Sequence, residues 1–182
     1  LGSFPSVKSR EGHFFYNHPQ NRFWRVLAAV TGQETPGTIL EKKEFLLRSG
    51  IALWDVIAAC ERTGSLDSEI MPGSIETNDF QAFFSVHRSI QHVYFNGTAA
   101  ENEFRRKVLP ELAIPCPALH RLPSTSPAHA GMSFELKKAI WREAFVAAGA
   151  PEEIRYLHKP HIGTDILRDV VRNIRKEIIR LG

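Results

Sequence analysis

The sequence predicts a three-layer α/β/α domain built around a short central parallel sheet. Segments with helical spacing of apolar residues alternate along the chain with short runs of β-branched and aromatic residues, as in βαβ units. Polar loops follow the inferred strands, and parallel sheets bind ligands at the carboxyl ends of their strands. With 182 residues, 43% of them hydrophobic, the chain is long enough to bury a sizeable core.

Five helices are predicted from apolar periodicity and from capping residues. The first covers 22–31, and Asn21 stands immediately before it, where an N-cap residue belongs. The others are expected at 39–50, at 79–87 with Asn78 as the cap, at 98–109 ending before Pro110, and at 133–145 with Ser133 as the cap.

The strands are predicted from short apolar runs. Residues 89–97 alternate and then end in Asn-Gly, which makes this segment the clearest strand, and 116–122 is a second. The apolar run 51–59 fits either a short strand or a buried segment. The chain opens with "LGSFPS", a turn that normally follows another element, so we expect the first strand of the sheet to be truncated.

Composition excludes several classes of protein. No apolar run approaches the roughly 18–20 residues of a membrane helix, and the two cysteines, Cys60 and Cys116, form no metal-binding or disulfide pattern. The net charge of +3 points only weakly to nucleic acid. Motifs of serine hydrolases, P-loop proteins and zinc proteases are lacking. We therefore expect a cytoplasmic monomer that uses no metal and no cofactor.

Two segments carry candidate functional residues, and each also has a structural explanation. In the first, the 2–6 turn could present amides to a ligand or be an ordinary turn. Tyr16 could stack on a base or belong to a satellite core. Asn21 could hydrogen-bond a substrate or simply cap its helix. In the second, the small hydroxyl residues of "LPSTSPAHA" (122–130) could contact phosphates or form a rigid connector.

Together, these segments resemble the uracil-DNA glycosylase superfamily, and more closely its branch of hypoxanthine (deoxyinosine) DNA glycosylases. The resemblance covers about residues 1–143. It rests on four motifs, "GSFPS", "HPxNRFW", "FNG" and "LPSTSP", which correspond to 2–6, 18–24, 95–97 and 122–127.

The resemblance implies a base excision repair enzyme that flips a deaminated base out of DNA and stacks it on Tyr16. It implies that the catalytic amide is Asn21. The residues it places against the base are Gly2, Ser3, Phe4, Pro5, Tyr16 and Asn96. The residues it places against the DNA are Ser124, Thr125, Ser126 and His129.

Two positions depart from related patterns. Phe4 stands where the mismatch-specific uracil branch has Asn, so it cannot hold a water, and His129 stands where the family usually has Asn. An amide is a poor general base, so we expect Asn21 to position water and to stabilise a sugar cation through its carbonyl dipole. Cleavage would be dissociative and monofunctional. The alternatives are a mismatch-type uracil or thymine DNA glycosylase and a non-catalytic DNA-binding relic.

The tail reads differently from the rest of the chain. Residues 144–182, with "LHKPHIGTD", resemble an internal segment of FAD-dependent dehydrogenases, but they carry no GxGxxG motif. We therefore expect a glycosylase domain at 1–143, a helical tail of foreign origin at 144–182 in a possible chimera, and no flavin binding.

Overall fold

The structure is a computed structural model, and it describes residues 1–149. Its α-helices are α1 (Val7–Glu11), α2 (Phe23–Thr31), α3 (Ile39–Arg48), α4 (Phe80–Val86), α5 (Thr98–Glu103) and α6 (Phe134–Ala147). Its strands are β1 (Ile57–Ala59), β2 (Glu76–Thr77), β3 (His92–Asn96) and β4 (Ala118–Leu122). Short 3-10 helices cover Asp67–Glu69, Pro72–Ser74 and Leu109–Glu111, and α5 continues as a π-helix over Phe104–Val108.

A parallel pair of strands forms the centre of the domain. β3 and β4 run in register from His92 opposite Ala118 to Asn96 opposite Leu122. The first residues of the chain lie along the other edge of β3, where the amide of Asn96 donates to the carbonyl oxygen of Leu1 at 2.9 Å. β1 and β2 form a separate antiparallel pair.

Helices cover both faces of the parallel pair, which creates the three layers. Alternate side chains of a strand point to opposite faces, so Phe95 packs on one side and Tyr94 on the other. The Phe95 face is covered by buried residues of α4, α5 and the π-helix: Phe80, Phe84, Ala100, Phe104 and Val108. The opposite face is covered by α2, α3 and α6 through Phe23, Trp24, Val26, Leu27, Val30, Phe45 and Trp141. The predicted α/β fold class is confirmed.

The structure corrects some predicted elements. The opening segment contains the short helix α1, with Ser6 as its cap, and the loop at 62–74 holds two 3-10 helices. Of the run 51–59, only Ile57–Ala59 is a strand. Helix α6 reaches Ala147, beyond the predicted domain boundary at 143. The rest of the tail lies outside the described residues, and the division of the chain at 143 stays a prediction.

The cap of α4 is Asp79 and not Asn78. The Asp79 carboxylate accepts from the amide of Ala82 at 2.8 Å, as a cap does. Asn78 instead donates its side-chain N–H to the carbonyl oxygen of Asp55 at 2.8 Å. This bond ties the start of α4 to Asp55. Within residues 1–149, no helix combines the length and apolarity needed to cross a membrane.

Candidate active site

The aromatic rings of the opening segment form a satellite core against α2. Phe14 stacks on Trp24 with ring centroids 6.0 Å apart, and the Trp24 indole N–H donates to the carbonyl oxygen of Phe15 at 3.2 Å. Tyr16 stacks on Phe23 at 3.9 Å and 15°. One face of the Tyr16 ring is therefore covered, and a base could stack only on the other. The φ of Tyr16 is +52°, a strained value for a non-glycine residue, and this stacking helps to hold it.

A small pocket of about 100 Å³ lies between the opening segment and the carboxyl ends of β3 and β4. Nine of the eleven predicted site residues line it: Gly2, Ser3, Phe4, Pro5, Tyr16, Asn21, Asn96, Ser124 and Ser126. These residues come from distant parts of the sequence, and the fold brings them to one cavity. Its volume suits one small ring system.

The other two predicted residues lie elsewhere. Thr125 is fully buried between the pocket-lining residues, and His129 is exposed at the far end of the 122–130 loop. Helix α6 fixes both ends of that loop. The Trp141 indole N–H donates to the carbonyl oxygen of Pro123 at 3.0 Å, and the buried Lys137 ammonium donates to that of His129 at 2.8 Å. The loop is therefore held rigidly at the pocket.

Asn96, Thr125 and Asn21 form a chain of hydrogen bonds under the pocket. The Thr125 amide donates to Asn96 Oδ1 at 2.9 Å, and Asn96 Nδ2 donates back to Thr125 Oγ1 at 2.9 Å. The Thr125 hydroxyl then donates to Asn21 Oδ1 at 3.0 Å. The Phe23 amide donates to the same oxygen at 2.9 Å. These hydrogen bonds link the end of β3 to the start of α2.

The donors and acceptors in this series of hydrogen bonds are fixed. A backbone amide can only donate, so Asn96 and Asn21 must each present oxygen to it. Both lone pairs of Asn21 Oδ1 are then used. Among the described residues, none pairs with Asn21 Nδ2, and the Asn21 residue itself lines the pocket. This geometry changes the expected role of Asn21, because its free group is a hydrogen-bond donor and not a carbonyl dipole.

Replacing Thr125 with valine tests the role of this series of hydrogen bonds. Valine keeps the shape of threonine but removes one of the two donors to Asn21 Oδ1 and the Thr125 acceptor of Asn96 Nδ2. We expect the free energy of unfolding to fall by about 1–3 kcal/mol and activity to fall, because Asn21 is no longer held. Chemical denaturation measures the first effect. The serine variant restores the hydroxyl and should recover most of the stability; equal losses in both variants would contradict this role for the hydroxyl.

Two glycines permit close approaches around the pocket. A Cβ on Gly2 would lie 2.2 Å from Asp55 Oδ1 and 3.0 Å from the Tyr16 hydroxyl oxygen. Gly97 has a φ of +106°, and a Cβ there would lie 3.0 Å from that of Ser124. Gly97 thus allows the 122–130 loop to reach the end of β3.

Asp55 is a functional candidate that the sequence-based reasoning missed. It lies in the apolar run "IALWDVIAA", lines the pocket and is only 7% exposed. Burial raises the pKa of its carboxyl group to about 6, although the Leu1 amino group and Arg62 oppose the shift and Asp67 adds to it. Burial and the Asp55 charge also raise the pKa of Tyr16, so its hydroxyl stays protonated. The sequence feature that could have indicated Asp55 is the presence of a single acidic residue within an apolar run.

Two arginine side chains contact the 2–6 turn on the side away from the pocket. The Arg62 guanidinium lies 4.9 Å from the centre of the Phe4 ring and donates to the carbonyl oxygen of Pro5 at 2.6 Å. Arg10 lies 5.9 Å from the same ring. On the pocket side, Ser3 donates its hydroxyl to Asp67 at 2.6 Å, and Asp67 also lines the cavity. Asp67 is a second pocket residue that the sequence patterns did not indicate.

A larger cavity of about 410 Å³ lies beside the first. It runs between β3 and residues 51–54, and aromatic and aliphatic side chains form most of its wall. Of the predicted site residues, only Tyr16 and Asn96 reach it. The smaller pocket, which holds the polar groups, is therefore the candidate active site. Within residues 1–149, no group of three or more His, Cys, Asp or Glu side chains could hold a metal ion.

The fold is that of a uracil DNA glycosylase-like protein. The structure is similar to a solution NMR structure of a candidate uracil DNA glycosylase from Methanosarcina acetivorans, with a TM-score of 0.64 and 29% identity, covering 82% of this chain and 89% of that one.

The chain is also similar to two curated proteins that share one name. The chain is 38% identical over 101 residues to a hypoxanthine DNA glycosylase of Methanosarcina acetivorans, covering 55% of this chain and 63% of that protein. A protein of the same name from Methanosarcina barkeri is 36% identical over 98 residues, covering 53% of this chain and 61% of the relative. The chain thus spans about three fifths of these relatives. No family model matches it.

The resemblance to FAD-dependent dehydrogenases finds no support in these comparisons. A further match, 58% identical over 40 residues, covers 22% of this chain and 8% of an uncharacterized protein from Clostridium beijerinckii. That name assigns no activity. The predicted chimera with a flavoprotein segment is therefore unsupported, and residues 150–182 lie outside the part of the chain that the structure describes.

Proposed function

We propose that the chain is a DNA glycosylase that hydrolyses the N-glycosidic bond of a deaminated base, with hypoxanthine in deoxyinosine as the substrate. The observation that carries this proposal is the convergence of the 2–6 turn, Tyr16, Asn21, Asn96 and the serines of the 122–130 loop on one small pocket. The names of the two curated relatives support the choice of base.

The free N–H group of Asn21 favours a dissociative reaction. The C1′–N9 bond breaks first and its electron pair leaves with hypoxanthine. Water then adds to C1′ and releases the proton that neutralises the base. A donor in the pocket stabilises the charge that develops on the leaving base, as in an oxyanion hole. Among the described residues, the pocket is lined by no lysine that could form a Schiff base, which favours a monofunctional enzyme.

The 122–130 loop offers groups for the DNA backbone. The Ser124 hydroxyl oxygen accepts a hydrogen bond from the Ser126 amide at 3.2 Å, and the Ser126 hydroxyl oxygen accepts one from the Ala128 amide at 3.3 Å. The hydroxyl hydrogens of both serines are then free to donate to phosphate oxygens. The exposed His129 lies on the same loop and offers one more polar side chain for such a contact. Thr125 is buried, so we assign it to positioning Asn21 rather than to direct contact with DNA.

A base-release assay tests the proposal. We expect the purified chain to release free hypoxanthine from duplexes containing deoxyinosine, and faster than it releases uracil or xanthine from matched duplexes. Chromatography of the released base measures the rates. Denatured protein and undamaged duplexes serve as controls.

The other outcomes distinguish the alternatives. Preferential release of uracil or thymine from mismatches would favour the second candidate function, which the description of the similar NMR structure motivates. DNA binding without release of any base would favour a non-catalytic protein and would contradict the proposal.

A further inference from the structure

The pocket contains an acidic group that the proposed reaction does not yet use. Asp55 lines the cavity together with Asn21 and Asn96. Its Oδ1 lies in the space that the missing side chain of Gly2 leaves open. Among the described residues, no group donates a hydrogen bond to its carboxylate.

The backbone holds Asp55 in this position. The Gly2 amide donates to the carbonyl oxygen of Trp54 at 2.9 Å, and the Val56 amide donates to that of Gly2 at 2.9 Å. The carbonyl oxygen of Asp55 itself accepts from Asn78 at 2.8 Å. Two of these bonds fix residues 54–56 against the opening turn and the third fixes them against Asn78, so the carboxylate is preorganised at the pocket.

Deamination changes the hydrogen-bonding pattern of a base in a way that this pocket can read. Adenine and cytosine carry an amino donor next to a ring nitrogen that accepts. Hypoxanthine and uracil carry a carbonyl acceptor next to a ring N–H that donates. A site that recognises the deaminated pattern needs an acceptor for the ring N–H and a donor for the carbonyl oxygen. Asp55 supplies an obligate acceptor when ionised, and Asn21 Nδ2 supplies a donor.

We propose that Asp55 recognises the deaminated base by accepting a hydrogen bond from its ring N–H, which is N1–H in hypoxanthine. This inference rests on the proposed function. The ring nitrogen of adenine would direct its lone pair at the carboxylate, so the same contact rejects the undamaged base. The pKa of about 6 leaves Asp55 mostly ionised at neutral pH, the state that this role requires.

The test compares two substrates in wild type and in Asp55→Asn. One duplex carries deoxyinosine and the other carries deoxynebularine, a purine nucleoside with neither the C6 oxygen nor a hydrogen on N1. An asparagine can turn its N–H group toward a bare N1, whereas an ionised aspartate cannot donate. The measured quantity is the ratio of the rate of base release from deoxyinosine to that from deoxynebularine. We expect this ratio to be about 10- to 100-fold lower in Asp55→Asn than in the wild type at neutral pH.

Matched measurements separate recognition from support of the fold. Glu76→Gln removes one negative charge from an exposed position outside the pocket and should leave both rates unchanged. Thermal unfolding checks that Asp55→Asn is folded. If Asp55 only supports the opening turn, both substrates slow equally and the preference is unchanged, which overturns the inference while the proposed function stands. Failure of the wild type to release hypoxanthine overturns both.

Discussion

Replacing Asn21 with alanine is expected to lower the rate of hypoxanthine release about 10²–10³-fold, the usual cost of removing one donor from an oxyanion-type site. The variant loses the Asn21 Nδ2 group, which has no partner among the described residues, from a residue that lines the pocket. It also leaves the Phe23 amide and the Thr125 hydroxyl without their acceptor. Single-turnover base release from a deoxyinosine duplex measures the rate, and chemical denaturation measures a stability loss of about 0.5–2 kcal/mol.

The Asn21→Asp variant separates these two effects. Aspartate keeps an oxygen for Phe23 and Thr125, so stability should stay near that of the wild type. It replaces the N–H donor with a second oxygen, so activity should fall about as far as in the alanine variant. Wild-type rates in Asn21→Asp would show that the donor is dispensable and that Asn21 acts only by accepting the hydrogen bonds of Phe23 and Thr125.

Replacing Gly2 with alanine is expected to lower both stability and activity strongly. The new methyl group would lie 2.2 Å from Asp55 Oδ1, a distance that neither group can tolerate, and the backbone bonds of Gly2 leave the turn little freedom to move. Overpacking of this kind costs about 1–3 kcal/mol. Denaturant unfolding and base release measure the two effects.

Two comparisons define the cause. Gly73→Ala adds the same methyl group where nothing lies within 4 Å and should behave as the wild type. In an Asp55→Ala background the clash with Asp55 Oδ1 disappears and only the 3.0 Å approach to the Tyr16 hydroxyl remains, so Gly2→Ala should cost much less stability there than in the wild type. Equal costs in both backgrounds would exclude the contact with Asp55 as the cause.

The sequence was most informative where local patterns decide structure. Helical spacing of apolar residues located α2, α3 and α6, and alternation located β3, because burial of one face follows directly from these periods. The cap of α4 was assigned one residue too early, since Asn78 and Asp79 are both good caps and only the tertiary bond from Asn78 to Asp55 distinguishes them.

Local sequence patterns could not predict the long-range contacts. The bonds from Asn96 to Thr125 and from Thr125 to Asn21 depend on the register of β3 and β4 and on the close approach that Gly97 permits. Asp55 joins the pocket only because residues 54–56 pair with Gly2. Resemblance to a family suggested which residues to consider, but it indicated neither the direction of the Asn21 amide nor the presence of an acid beside it.

The bonds from Asn96 through Thr125 to Asn21 also bear on how the protein responds to its surroundings. None of the three side chains ionises, and each amide oxygen is committed to a main-chain N–H. The Asn21 donor therefore keeps the same polarity in acid and in alkali, and a simple rotation of the amide cannot reverse it. Any dependence of the reaction on acidity must come from other groups of the cavity or from the base itself, so a pH–rate profile would report on those groups and not on this series of hydrogen bonds.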